Sequence, residues 1–481
     1  MTRRAITAFE NGFLPVVDEL TGNSNDEITR DEARAIVKLK SKKILALWNK
    51  NKVTQCDIDS NKWVKLYDDR LYLGRYVGHI SIYNLDLTIR PKVENNRKTK
   101  RDEFEVPLES FLLFNLDDED EAFLPTDGFG GSGLLDQDFF NRHARQYILG
   151  LGKEISQGLR SGYSEIESEV PHLRGRIIYE RLAQLTILRP HLLPCRFDEF
   201  SPDTVYNQIL KQALSIILRK INSPELRNLG ESLMLQLQTV SDTNYTWREI
   251  KDLEADQFHA RYEKLLKHAK LTIGSHFAFA RKSEQPNNNA RHGFMMLWDI
   301  ERLYERHAYK LLSRIVPPGV GRVVEKPAGE YFLTESRDDF ELQPDLAVIS
   351  NDNKVLLVVD TKWKTYGDNM AEIKKSDAYQ MLAYANSLRK KDGEPPPVAL
   401  LYPSGDPSPP TINTFTNIGS KFLVCSLPLN IKKGPDGRVN YHDIDFTQIF
   451  GSEICKQCGF TINPSKSVSA SNSKKKKKLR T

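Results

Sequence analysis

The sequence predicts a multidomain chain of the α+β / α/β kind, in which a small mixed sheet and a helical region precede an αβ domain. Three observations predict it. The chain has 481 residues, more than one ordinary hydrophobic core serves, so two or three domains are expected. Short alternating apolar stretches gather within the first hundred residues, the pattern of half-buried strands. Two short β-branched runs, QPDLAVIS and KVLLVVDTKWK, stand between segments of helical periodicity.

The N-terminus, MTRRAITAFENGFLPVVDEL, starts basic but lacks the apolar segment of a secretory signal. The longest apolar runs are far shorter than a membrane-spanning helix requires, so the expectation is a cytoplasmic protein without membrane association. DEARAIVKLKSKKILALWNK reads as a helix. LYLGRYVGHISIYNLDLTIRPKV sets Leu71, Leu73, Tyr76, Val77, Ile80 and Ile82 among glycines and polar residues, as in a small sheet with tight turns. An acidic run from Asp117 to Glu121 and the glycine cluster GFGGSG follow. That cluster lacks the Gly-Lys-Ser/Thr ending of a phosphate-binding loop, so it reads as a connection, and no nucleotide is expected to bind this chain itself.

FFNRHARQYILGLGKEISQGL, TVYNQILKQALSIILRKI and FHARYEKLLKHAKLTI read as helices. Between the first two, Arg174-Gly175-Arg176 leads into a short apolar strand. The turn-rich SEQPNNNARHG, Ser283 to Gly293, makes a domain boundary. The expected domains are therefore residues 1–138, mixed α+β; 139–282, mainly helical with a short β segment; 293–450, the αβ domain; and 451–481, a basic tail.

Charge bears on partners. The net charge is +5, but Lys466, Lys474 to Lys478 and Arg480 contribute seven cations with no acid among them; without them the remainder stands near −2. A protein that grips duplex DNA by its own phosphate contacts shows a basic excess on its body, which this chain does not. The five cysteines are too scattered for a disulfide framework, which agrees with a reducing compartment. Cys455 and Cys458 form one C-x-x-C, and a tetrahedral zinc would need two more ligands from elsewhere.

The chemistry concentrates in the C-terminal third. With a two-residue turn at Asp352-Asn353, Asn351 faces Lys354, and counting back along both strands sets Asp345 opposite Asp360. A four-residue turn gives the same pairing, whereas a three-residue turn puts the two aspartates on opposite faces. In the even case the two Cβ atoms come within roughly 5 Å, and two carboxylates so placed call for a cation between them. Lys362, two residues beyond Asp360, points to the same face. Two carboxylates with water and phosphate oxygens suit Mg²⁺, with Mn²⁺ as an alternative, and the lysine suits orienting a water or stabilising charge on phosphorus oxygens.

The arrangement PD-x14-D-x-K resembles the PD-(D/E)xK nuclease superfamily, whose fold would give residues 293–450 a central mixed sheet flanked by helices. Gln380 and Tyr384, in SDAYQMLAYANSL, look like the Gln-x-x-x-Tyr element of its RecB-like branch. Glu305, in L-Y-E-R, looks like its first-motif glutamate, a third metal ligand beside Asp345 and Asp360. The whole series, from IRPKV through R-G-R-I and CRFDEFSPDTVYNQILKQAL to the nuclease motifs, is similar to the McrC subunit of McrBC-type, modification-dependent restriction systems over roughly Leu71 to Val424. The resemblance implies an endonuclease subunit that docks through its N-terminal part on a McrB-like AAA+ GTPase hexamer. The partner would select modified double-stranded DNA, and docking would stimulate its GTP hydrolysis. Arg174 and Arg176 suit a contact with a carboxylate-lined ring, or form a plain surface turn. Asp203 and Asn207 also match, Asp203 suiting a helix N-terminus. Two other readings stay open: a stand-alone RecB-like repair or recombination nuclease, and a non-catalytic activator or scaffold of a AAA+ partner.

Overall fold

The structure, a computed structural model, describes residues 4–18, 27–39, 43–48, 52–57, 63–92, 139–221, 223–255, 260–279, 291–327, 343–364, 374–388, 394–404, 410–415, 418–428 and 446–458. The acidic run at Asp117–Glu121, the glycine cluster, most of the turn-rich Ser283–Gly293 segment and the lysine tail lie outside the described residues. The chain divides into two compact units, Met1–Leu303 with Pro435–Arg438, and Tyr304–Gly434 with Val439–Thr481.

In the first unit the strands are β1 (Arg4–Phe9), β2 (Phe13–Val17), β3 (Ile28–Thr29), β4 (Lys43–Trp48), β5 (Lys52–Asp57), β6 (Lys65–Tyr67), β7 (Arg70–Tyr72), β8 (Tyr76–Ile82), β9 (Leu85–Arg90), β10 (Gly162–Val170), β11 (Arg176–Ile177), β12 (Leu193–Ser201), β13 (His276–Phe279) and β14 (Arg291–Asp299). They form a five-stranded sheet in the order β1-β9-β8-β14-β13, a four-stranded sheet β3-β2-β7-β6, a three-stranded sheet β10-β12-β11 and the β4-β5 hairpin. The predicted small sheet is present, with Leu71, Leu73, Tyr76, Val77, Ile80 and Ile82 all buried. Gly78 shows how tightly β14 lies along β8: a Cβ there would meet the Met296 carbonyl at 2.2 Å.

Helix α1 (Arg30–Lys38) opens on a capping box, Thr29 Oγ1 accepting from Glu32 N and Glu32 returning the bond to Thr29 N, which satisfies two otherwise orphaned donors. The helix expected to run on through KILALW stops at Leu39, and Lys43–Trp48 is a strand paired in register with Lys52–Asp57. An apolar run of this length fits either period, and a pairing partner a few residues on decides it. Helices α2 (Phe139–Ser156), α3 (Tyr179–Leu188), α4 (Val205–Lys220), α5 (Pro224–Gln236) and α6 (Glu263–Ser275) make the helical region, and the Tyr147 hydroxyl ties α2 to α4 through the Leu210 carbonyl at 2.7 Å. Asp203 joins that region at the start of α4, accepting from Ser241 N and Gln208 Nε2 at 2.9 and 2.8 Å. The nine-residue strands β10 and β12, with the short β11 on the other side of β12, make a larger β segment than the sequence suggested.

The division between units falls at Leu303, ten residues after the expected boundary at 293. The reason is β14, which pairs with β8 more than two hundred residues earlier. Residues 1–138 and 139–282 likewise share one compact unit. The second unit begins within α7 (Ile300–Ile315) and holds β15 (Gly321–Glu325), β16 (Leu346–Ser350), β17 (Val355–Thr361), α8 (Lys375–Ser387), β18 (Val398–Ser404), β19 (Thr411–Thr414), β20 (Lys421–Pro428) and α9 (Phe446–Gln457). Its sheet is mixed, in the order β15-β16-β17-β18-β20-β19, with β17-β18 and β18-β20 parallel and the other pairs antiparallel. α9 carries ordered helix to Gln457, into the stretch assigned to the basic tail.

Candidate active site

The site sits where β16 begins and β17 ends, beside the parallel β17-β18 pair. Leu346 pairs with Val359, so Asp345 stands opposite Asp360. The register is reached by an unforeseen route. Ser350, rather than Asn351, meets Lys354, its amide donating to the Lys354 carbonyl at 2.8 Å, which leaves a three-residue turn. Asn353 takes the left-handed conformation there, at φ 58°. By itself that turn puts the aspartates on opposite faces. A bulge between Val348 and Ile349 then restores the alternation: Ile349 pairs with Val355, Val348 with Leu357, and Leu356 is the extra residue.

The carboxylates are held differently. Asp345 Oδ2 accepts from both the backbone amide and the hydroxyl of Thr361, each at 2.7 Å. Asp360 is 2% exposed. Its Oδ2 lies 2.5 Å from Lys362 Nζ in an ion pair, yet accepts no hydrogen bond of good geometry. Burial, then the charge of Asp345, pushes the Asp360 carboxyl up to about 6 against the pull of Lys362. Burial opposes the Lys362 charge, but Asp360, Asp345 and Asp377 outweigh it and hold the ammonium above its ordinary pKa.

Helix α8 extends the network. Lys362 Nζ donates to Gln380 Oε1 at 3.0 Å, Gln380 Nε2 to the Tyr384 hydroxyl at 2.8 Å, and that hydroxyl to the Gln343 carbonyl at 3.2 Å. The chain of contacts therefore returns to the segment leading into β16, which carries Asp345. Burial, then the charge of Asp360, raises the Tyr384 phenol, which stays a donor. From α7, the buried Tyr304 hydroxyl donates to the Leu401 carbonyl at 3.3 Å, the same oxygen that accepts from the Lys362 amide at 3.0 Å. Its ring lies 5.3 Å from Trp363. Glu305 follows Tyr304 in sequence and is half-buried.

The structure thus brings together Asp345, Asp360, Lys362, Gln380 and Tyr384. Among the described residues no group of three His, Cys, Asp or Glu side chains is placed to hold a metal ion, so Glu305 is not gathered with the aspartates. A buried carboxylate oxygen short of donors, beside a second carboxylate held from behind by Thr361, fits a hard divalent cation that brings its own waters. Thr361, which fixes Asp345, was not singled out from sequence because a lone threonine carries no signal. Lys364 and the buried Asp377, which no motif in the sequence marks, pair at 2.9 Å from the DTKWK and SDAYQ stretches.

Two other sequence features fall elsewhere. Arg174 and Arg176 are exposed beside the first unit's three-stranded sheet, Arg174 with its guanidinium 4.2 Å from the Phe197 ring centroid and Arg176 in register with Arg196. Cys455 donates to Thr447 Oγ1 and Cys458 to the Leu356 carbonyl, each at 3.4 Å. Burial, then the neighbouring Cys455, pushes the Cys458 thiol up to about 12.

The profile of the family described as McrBC 5-methylcytosine restriction system component matches residues 71–403. The chain is 24% identical over 277 residues to the type IV methyl-directed restriction enzyme EcoKMcrBC of Escherichia coli (strain K12), covering 54% of this chain and 76% of that protein. In fold it is similar to a chain of the refined half-complex from the tetradecameric assembly of Thermococcus gammatolerans McrB AAA+ hexamers with bound McrC. There the TM-score is 0.62 at 17% identity, over 90% of this chain and 97% of that one.

Proposed function

The chain belongs to the McrBC 5-methylcytosine restriction system component family, and from that premise we propose that it is the system's endonuclease subunit, with a PD-(D/E)xK site cutting DNA phosphodiesters. The observation that carries the proposal is the buried Asp360 carboxylate, short of donors and raised to about 6 beside Asp345 and Lys362. Lys362 alone does not offset burial and the neighbouring Asp345 charge, so added positive charge would favour the ionised Asp360 carboxylate.

Asp345 and Asp360 would hold Mg²⁺, or Mn²⁺ in its place, and Glu305 is the further acidic ligand that the family resemblance implies. Once bound, the ion supplies charge neutralisation at the scissile phosphate and lowers the pKa of a water. The Thr361 donors both engage Asp345 Oδ2, so Oδ1 would be the oxygen left for the ion. Lys362, charged throughout the neutral range, is held by Gln380 beside the Asp360 carboxylate. There it stabilises negative charge that grows in the transition state. Tyr384 and the Gln343 carbonyl hold Gln380 in turn, so the cation does not have to be ordered at the moment of reaction.

The DNA-binding step is assigned to a partner, because the body of the chain carries no basic excess. That partner is a McrB-like AAA+ GTPase hexamer that recognises and translocates modified DNA, with GTP hydrolysis stimulated by this chain. Arg174 and Arg176, exposed beside the β10-β12-β11 sheet, are offered as contacts to the ring.

The test is cleavage of methylated and unmethylated plasmid with Mg²⁺, with and without the GTPase and GTP, beside Asp360→Ala. Cleavage confined to methylated plasmid and requiring partner, GTP and Asp360 is the expected result. Cutting by the chain alone, indifferent to methylation, would leave a stand-alone nuclease, and restriction that survives Asp360→Ala would leave an activator or scaffold.

A further inference from the structure

The sheet β3-β2-β7-β6 has two unlike faces. Leu14, Val16 and Leu71 alternate inward and are buried, with Leu66 packed against the same core as Ala33 and Ile36 of α1. The register fixes the other face. Phe13 lies opposite Tyr72, which lies opposite Lys65; Pro15 lies opposite Arg70, which lies opposite Tyr67. These six residues make a grid two positions deep and three strands wide, and all six are exposed.

The grid is already assembled. The Phe13 and Tyr72 rings lie 5.9 Å apart, those of Tyr67 and Tyr72 meet edge-on at 5.7 Å, and the Arg70 guanidinium lies 4.8 Å from the Phe13 centroid. Yet Phe13 is 50% and Tyr67 58% exposed. Two cations and no carboxylate occupy the six positions. Asp69, in the turn between β6 and β7, approaches Arg70 only to 3.9 Å, and both groups are exposed, a pairing worth little.

We propose that this face binds unpaired nucleic-acid bases, a single strand or a locally opened duplex, by stacking them on Phe13, Tyr67 and Tyr72 while Arg70 and Lys65 meet the phosphates. A paired duplex hides its base faces, so rings stack on bases only where pairing is lost. Rings with two side-chain torsions, held on a sheet, lose little freedom when a base settles on them. The cations decide between occupants, because a polyanion with flat apolar faces matches both halves of the grid. The inference goes beyond the nuclease reading and needs neither Asp360 nor a metal.

The experiment measures anisotropy of a fluorescein-labelled oligothymidylate and of a duplex of equal length. It uses the full chain in EDTA, at salt high enough to suppress contacts of the lysine tail. The variants are Phe13→Ala, Tyr67→Ala and Tyr72→Ala, singly and together, with Tyr67→Phe/Tyr72→Phe as the conservative pair; circular dichroism checks the fold. Each ring removed weakens single-strand binding at least about fivefold, the phenylalanine pair retains it, and duplex binding is unmoved. Single-strand affinity unchanged in the triple variant would overturn the proposal, as would an equal loss on duplex. Unchanged affinity together with lost binding of the AAA+ partner would reassign the face to protein docking.

Discussion

At the scale of single residues, Asp360 ties stability to pH with an unusual sign. Its carboxyl is raised from 3.8 to about 6 in the folded chain, so the folded state binds this proton more tightly than the unfolded one. The associated stability is complete below pH 4 and is lost as pH rises through 6. Asp360→Asn removes the titrating group. In metal-free buffer the variant is therefore expected to melt with the wild type at pH 4, and to exceed it at pH 8 by up to about 3 kcal/mol. Paired thermal melts across that range check it, and a difference that does not grow with pH sinks it. Mg²⁺ is expected to stabilise the wild type far more than the variant. Thr361 is read through the same titration. Thr361→Val keeps the amide donor to Asp345 and deletes the hydroxyl, so the half-saturating Mg²⁺ concentration rises by about tenfold, and Thr361→Ser restores it. The acids and lysine were legible in the sequence because ionised groups at the ends of β-branched runs demand a reason. Thr361 was not, since its role lies in where one hydroxyl points.

At the scale of elements, the hairpin shows what parity reasoning can and cannot reach. Placing Asp345 opposite Asp360 required an even offset between the strands, and the sequence argument supplied it with an even turn. The molecule uses a three-residue turn and an extra residue at Leu356, two odd steps that cancel. A bulge residue such as leucine leaves no mark in a run of leucines and valines. Lys43–Trp48 was misread for a related reason, its period being short enough to suit helix or strand until a partner strand is known. The helix face Gln380/Tyr384 was legible from its i, i+4 spacing, and its action through Lys362 makes it one unit. Gln380→Met breaks the bond to Lys362 and is expected to cut the cleavage rate about tenfold. Tyr384→Phe acts through Gln380 and costs less. The double variant is expected to be no slower than Gln380→Met alone, because the two residues share a single route to the ammonium. Rates that multiply would mean that Tyr384 touches the reaction by another path.

At the scale of the whole molecule, the sequence read the order of the parts better than their borders. The sequence opens the αβ domain at residue 293, yet Arg291–Asp299 is a strand that pairs with β8 of the first unit. Pairing across that distance leaves only a generic strand pattern at each end, so no local signal could place it. Charge is legible at any distance, and it carries the last prediction. With seven cations confined to the end of a chain whose remainder stands near −2, duplex affinity of the isolated protein should come mostly from the tail. A chain ended after Cys458 should therefore show weaker duplex binding and a flatter dependence of log K on log salt. If the partner ring holds the DNA, the shortened chain should still cleave methylated plasmid at near the full rate when GTPase and GTP are present. Loss of both activities together would put the DNA grip in the tail itself and leave the ring to supply only motion.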